Sequence, residues 1–182
     1  MSVKNDFVKP IAVLFFICLF VSAALAVVNS VTKPVIDESA RIRAIEARRQ
    51  ILPLADEFVL LEIDNLLSEG LLPAAILEVY RAANGTGYIF TVTVIGYGGE
   101  IRILCGIDPD GKIIRANVLD HSETAGLGTP IFEEAHAGQY WGRDKSGIEG
   151  ISVISGATIT SVAFKNAMRH ALDAFETVRT RL

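Results

Sequence analysis

The chain has 182 residues, 51% hydrophobic and 21% charged, with a formal net charge of −4. That size accommodates one modest domain plus an apolar segment. The mild acidity offers no basic stripe for a phosphate backbone, which argues against a nucleic-acid partner.

The apolar segment is N-terminal. From Pro10 to Val28 (PIAVLFFICLFVSAALAVV) no charge occurs in 19 residues, and a membrane-spanning helix needs about 20. Lys4 and Lys9 precede it. A basic start, an apolar run and Ala24-Leu25-Ala26 also resemble a signal peptide with a small-residue cleavage site. The run is long for that role, since a signal core has about 7–15 residues. Residues 10–28 are therefore read as an uncleaved transmembrane helix, with residues 1–9 as a cytoplasmic N-terminus. Charge bias decides little about orientation, because Lys33, Arg41 and Arg43 follow closely on the other side. A short N-terminus inside and the large domain outside is the simpler topology.

Residues 29–53 read as a stalk helix and linker. The stretch from Thr32 to about Gln50 is charged and helix-prone, with Asp37, Glu38, Arg41, Arg43, Glu46, Arg48 and Arg49 around a narrow stripe of Ile42, Ile45 and Leu52. Mixed charge of this kind is an ordinary solvated face rather than a basic binding patch, and Pro53 ends the helix. Residues 54–182 are then the extracytoplasmic domain. Its first part, Leu54 to Leu72, is apolar without a clear period, and no element is assigned there.

Beyond it the period changes. Ile76–Ala82, Tyr88–Tyr97, Ile101–Ile107 and Lys112–Asp120 are rich in Val, Ile, Tyr, Phe and Thr. Asn84-Gly85, Gly98-Gly99 and Asp108-Pro109-Asp110-Gly111 separate them. Short β-type runs with such turns between them predict an antiparallel meander. Cys18 lies in the membrane run and Cys105 in a predicted strand, so the two do not pair, and Cys105 is expected to act as a small buried hydrophobe. No CxxC and no metal-ligand spacing occurs, so no iron–sulfur or zinc site is expected.

His121-Ser122-Glu123-Thr124-Ala125-Gly126-Leu127-Gly128 follows the last predicted strand. His121 and Glu123 without a third ligand make a weak metal site or general base. Gly126 and Gly128 permit a positive φ or the close approach of a flat group to the backbone, and Leu127 between them is free to lie against such a group. Phe132–Trp141 predicts a further short helix.

Ser155-Gly156-Ala157-Thr158-Ile159-Thr160-Ser161 closes the chain's informative part. Phe164, Met168, Ala171, Phe175 and Val178 then recur at helical spacing and predict a helix over Ser161–Thr180. Ser or Thr ahead of such a pattern is an N-cap signal, and an ordinary capped helix after a glycine turn satisfies the composition. A helix start also holds phosphate well, because its N–H groups are free and the dipole's positive end lies there. Four strands with this helix on one face make an α+β domain.

Ser155-Gly156-Ala157-Thr158, followed by Ile159-Thr160-Ser161, resembles the attachment motif of the FMN-binding domain family. In that family a flavin transferase esterifies the FMN phosphate to the Thr after Gly-Ala, here Thr158. The run from Gly85 to Gly128, above all the His121–Gly128 octet, is similar to the G subunits of Rnf-type ion-translocating ferredoxin:NAD oxidoreductases. The related C subunit of sodium-translocating NADH:quinone reductases shares the flavin motif and a single N-terminal anchor. Ala125 stands where family members usually carry Pro, and Ser152 where they often carry Asp. The resemblance implies a membrane-anchored covalent-flavin domain relaying electrons within a multi-subunit complex. Its partners would be polytopic membrane subunits, a second flavin subunit among them, and a flavin transferase for maturation. It makes Thr158 the ester linkage. Ser155, Gly156, Ala157, Thr160 and Ser161, with the helix start, would hold the phosphate. Thr124, Gly126 and Leu127 would line the isoalloxazine, and His121 and Glu123 would either tune the flavin or fasten the loop. A rival reading is a membrane-anchored reductase of a small diffusible acceptor, but no clustered Arg/His pair of the kind a dicarboxylate reductase needs is present. A scaffold domain that has lost flavin is a third, and the intact Thr158 motif argues against it.

Overall fold

The computed structural model describes residues 3–181. The side chains of Lys4, Lys9, Asp37 and Arg41, which enter the reading of anchor and stalk, lie outside the described residues, as do Met1 and Ser2 of the expected cytoplasmic N-terminus.

The first helix, α1, runs from Val3 to Ile51 through both Pro10 and Pro34. Anchor and stalk are therefore one continuous helix. Its span Pro10–Pro34 has 25 residues and contains an 18-residue window of mean hydropathy 3.0, so it is long and apolar enough to cross a membrane. Phe15, Phe16 and Phe20 on it are all more than half exposed. Two compact units divide the chain between Arg43 and Ala44. The last two turns of α1 thus count with the domain rather than with the stalk.

The domain is built on a five-stranded antiparallel sheet in the order β1-β2-β3-β4-β5, each strand beside its sequence neighbour. The strands are β1 (Phe58–Leu60), β2 (Ile76–Ala82), β3 (Tyr88–Ile95), β4 (Glu100–Ile107) and β5 (Ile113–His121). The four expected strands are there to within two residues at each end. The fifth, β1, pairs with β2 and, with the short helix α2 (Asp64–Ser68), fills the stretch that carries no sequence signal. The turns follow the expected chemistry. Gly85 and Gly111 take φ of +73° and +82°, and the Asp108 carboxylate accepts from the N–H of Asp110 and of Lys112.

Period-two alternation gives the sheet two apolar faces. On one, Phe90 and Val92 of β3 and Ile101, Ile103 and Cys105 of β4 are fully buried with the C-terminal helix (Thr158–Arg181), which becomes α4 once the short α3 below is counted. Phe164, Met168, Ala171, Phe175 and Val178 of that helix are all buried, as their spacing predicts. Ala163, Ala167, Ala171 and Ala174 keep the helix surface low enough to approach the sheet. Cys105 lies 3.7 Å from the Met168 sulfur, and burial pushes its thiol up to about 12. On the other face, Ile51 and Leu52 at the end of α1 bury Ile89 and Leu104. Gly106 makes that contact possible, since any Cβ there would strike Ile51 Cγ2.

Between β5 and α4 the expected single helix over Phe132–Trp141 is three short pieces. They are a 3-10 turn (Thr129–Phe132), α3 (Glu134–Ala137) and a second 3-10 turn (Gly138–Tyr140). Gly138 interrupts the pattern, and the two 3-10 turns each seat one large side chain on the core: Ile131 and Tyr140 are no more than 1% exposed.

Candidate functional site

β5 ends at His121, and the octet continues as a tight turn in which the Thr124 carbonyl accepts from the N–H of Leu127 and of Gly128. Gly126 has φ of +76° there, and its N–H donates to Thr129 Oγ1. At the far end of the domain's sequence, Gly156 takes φ of +84° and turns the chain into α4. These two turns meet. Between them lies a half-open cleft of about 230 Å³, walled by Glu123, Thr124 and Leu127 on one side and by Gly156, Ala157, Thr158 and Thr160 on the other. Seven of the residues singled out from sequence are therefore brought together. His121, Gly126, Ser155 and Ser161 are not in the lining.

α4 begins at Thr158, three residues earlier than expected. The Ala157 carbonyl accepts the first helical bond, from Ser161, so an alanine and not a hydroxyl residue occupies the cap position. The first N–H groups of a helix have no partner inside it, and here those of Thr158, Ile159 and Thr160 belong to residues that line the cleft. The Thr158 side chain is exposed at the cleft. Thr160 and Ser161, expected to hold a phosphate, have their hydroxyls engaged inside the fold. Both residues are 1% exposed; Thr160 Oγ1 donates to Glu123 Oε2 at 2.8 Å, and Ser161 Oγ accepts from the Ile154 N–H at 3.0 Å. Ser155 is exposed, outside the cleft wall.

Glu123 is 8% exposed, and both its oxygens are used. Oε1 accepts from the Gly98 N–H at 3.0 Å, and Oε2 receives the Thr160 hydroxyl. The Glu123 N–H in turn donates to His121 Nδ1 at 3.2 Å, and the His121 ring lies 5.0 Å from that of Phe132. These hydrogen bonds fasten the loop to the β3–β4 turn and to α4. The structure also changes the reason for one glycine: Gly128 has a negative φ of −85°, and a Cβ there would come within 2.5 Å of Glu123 Oε2.

Three lining residues are missing from the set that the sequence assigns to the site: Tyr97, Gly128 and Ile159. Tyr97 falls inside a predicted strand, whereas β3 ends at Ile95 and Tyr97 sits on the hairpin turn, 71% exposed. Such an aromatic beside glycines is the available signal. Ile159, 56% exposed, is apolar on the solvent side of a helix start.

A family model described as the FMN-binding domain matches residues 96–173, the region that holds both turns of the cleft. The chain is 31% identical over 184 residues to the G subunit of the Na(+)-translocating ferredoxin:NAD(+) oxidoreductase complex of Acetobacterium woodii, covering 90% of this chain and 89% of that one. The chain belongs to the G subunits of Rnf-type complexes. A second G subunit, that of the ion-translocating oxidoreductase complex of Methanosarcina acetivorans, is 29% identical over 95% of this chain and 96% of its own. The G subunit of the proton-translocating complex of Clostridium ljungdahlii is 33% identical over 54% of this chain and 60% of its own.

The residues of this chain fit FMN. Gly156 leaves its Cα side open, since a Cβ there would meet nothing nearer than Leu127 Cδ1 at 3.9 Å. Free backbone donors at the α4 start suit a phosphate, and exposed Tyr97, Leu127 and Ile159 offer apolar surface to a flat ring. Among the described residues no group of His, Cys, Asp and Glu could hold a metal.

Proposed function

We propose that this G subunit is a single-pass, membrane-anchored electron relay carrying FMN esterified through its phosphate to Thr158, within an Rnf-type complex that couples ferredoxin:NAD redox chemistry to ion movement. The observation that carries the reading is the meeting of the Thr158 turn and the Thr124–Gly128 turn in one cleft. When bound, FMN supplies one- or two-electron transfer. The chain's own residues do the rest. Thr158 Oγ would attack the flavin phosphate of a phosphoanhydride donor held by the transferase; the anhydride P–O bond breaks, the nucleotide monophosphate leaves with the hydroxyl proton, and the chain gains FMN less one water. The unpaired N–H groups of Thr158, Ile159 and Thr160, at the positive end of the α4 dipole, stabilise the remaining phosphate charge. Tyr97, Leu127 and Ile159 would offer the ring an apolar surface.

The domain faces the periplasm or the cell exterior on this reading, where a permanent tether keeps a cofactor that diffusion would otherwise remove. A flavin transferase loads it. Residues 10–28 carry no charged side chain and so offer an ion no pathway; ions cross in polytopic partner subunits, one of which bears a second flavin. The flavin-loaded domain should accept electrons from dithionite and show negligible turnover with fumarate, quinones or NAD. Saturable turnover with any of these would instead make the protein a reductase of a diffusible acceptor.

A further inference from the structure

The cleft wall contains one buried carboxylate. Glu123 is buried, and among the described residues no Lys, Arg or His forms an ion pair with it. Its charge is met by one N–H, one O–H and the positive end of α4. A buried charge so held is expensive unless every lone pair is placed. The surrounding sequence is shaped to allow it: a Cβ at Gly96 would collide with Oε1, one at Gly128 would crowd Oε2, and one at Gly98 would strike the backbone of Ser122 and Glu123. The two groups it binds belong to different segments of the chain. Gly98 adjoins Tyr97 on the β3–β4 turn, and Thr160 is in the same first helical turn as Thr158.

We propose that Glu123 is the positioning residue of this site, tying the β3–β4 turn that carries Tyr97 to the first turn of α4 and so fixing the separation between Tyr97 and Thr158. The inference rests on the reading of Thr158 as the FMN attachment point. In that role Glu123 controls how readily Thr158 is presented for esterification and how rigidly the attached flavin is held. Thr160 is the other half of the device, because its hydroxyl transmits the carboxylate's position to α4.

The test uses the full-length chain, co-expressed with a flavin transferase and recovered in membranes. Wild type is compared with Glu123→Ala, Glu123→Gln, Thr160→Val and Thr160→Ser. Three quantities are read: the rate of covalent flavin labelling, the visible circular dichroism of the labelled fraction, and the thermal midpoint. Glu123→Ala and Thr160→Val should label roughly tenfold more slowly, as loss of a charge-assisted bond implies, and their flavin dichroism should weaken. Thr160→Ser should restore both, and Glu123→Gln, which keeps an acceptor for Gly98, should fall between. If Glu123→Ala does not fold, Thr160→Val against Thr160→Ser decides the matter, since one hydroxyl separates them. Labelling and dichroism equal to wild type in Thr160→Val and Glu123→Ala, whatever the thermal midpoint, would overturn the inference alone. An unlabelled wild type would overturn the attachment reading and the inference with it.

Discussion

At the residue scale, the hydroxyl cluster Ser155–Ser161 is legible in the sequence as a site, but not which hydroxyl does what. Ser155 precedes α4, and the other three candidate side chains divide by helix face. Carrying the buried pattern back from Phe164 by three and four residues lands on Ser161 and Thr160, and both are buried; Thr158 falls on the open face. The spacing alone contains that division, and it assigns Thr160 and Ser161 to structure. Glycines behave differently. The need for Gly126 and Gly128 is readable, yet the partner that demands Gly128 is Glu123, a contact no local pattern specifies. A third residue gives a pH test. His136 is 5% exposed with Nε2 unpaired, and burial, aided by nearby Lys165, lowers its pKa below 6.5. The unfolded chain therefore takes up a proton near 6.5 that the folded one refuses, so this stability is present above that pH and lost as pH falls below it. Denaturant midpoints measured from pH 7.5 down to 5.5 should drop more steeply for wild type than for His136→Gln. Parallel slopes would show that His136 is not held neutral.

At the scale of elements, α4 is legible because five apolar residues at helical spacing leave no other interpretation. Only its start differs from expectation, since an alanine cap carries no signature. The meander is legible for the same reason, with a turn chemistry to match each hairpin. What stays hidden are the three-residue β1, too short to have a period, and the division of the expected Phe132–Trp141 helix into short turns from Thr129 to Tyr140. Those turns are ordered by aromatic contacts instead. Phe164 lies 6.1 Å from Phe132 and, edge-on, 5.3 Å from Tyr140, so it couples α4 to both 3-10 turns. Phe164→Ala should cost about 3–5 kcal/mol, read as a lowered denaturant midpoint, whereas Val162→Ala on the exposed face should cost under about 1 kcal/mol. Similar losses for the two would mean that the aromatic seam does not hold the domain together.

At the scale of the whole molecule, the chain is a helix long and apolar enough to cross a membrane, followed by a domain with a cleft that joins two distant stretches of sequence. The anchor is recognisable from composition alone. Its continuity through Pro34 to Ile51 is not, because proline inside a helix is a penalty and not a prohibition. The proposed role would put the residues after Val28 on the periplasmic or exterior side. Protease added to intact, wall-stripped cells should therefore cut the domain, and cutting only after lysis would reverse the topology.

The covalent flavin at Thr158 is the claim on which the relay reading depends, and intact-mass spectrometry of the denatured chain tests it most directly. Wild type co-expressed with a flavin transferase should carry one FMN less one water, located on the peptide containing Thr158, and Thr158→Ala should fold and insert without it. An unmodified wild type, or a flavin adduct that survives in Thr158→Ala, would contradict the account.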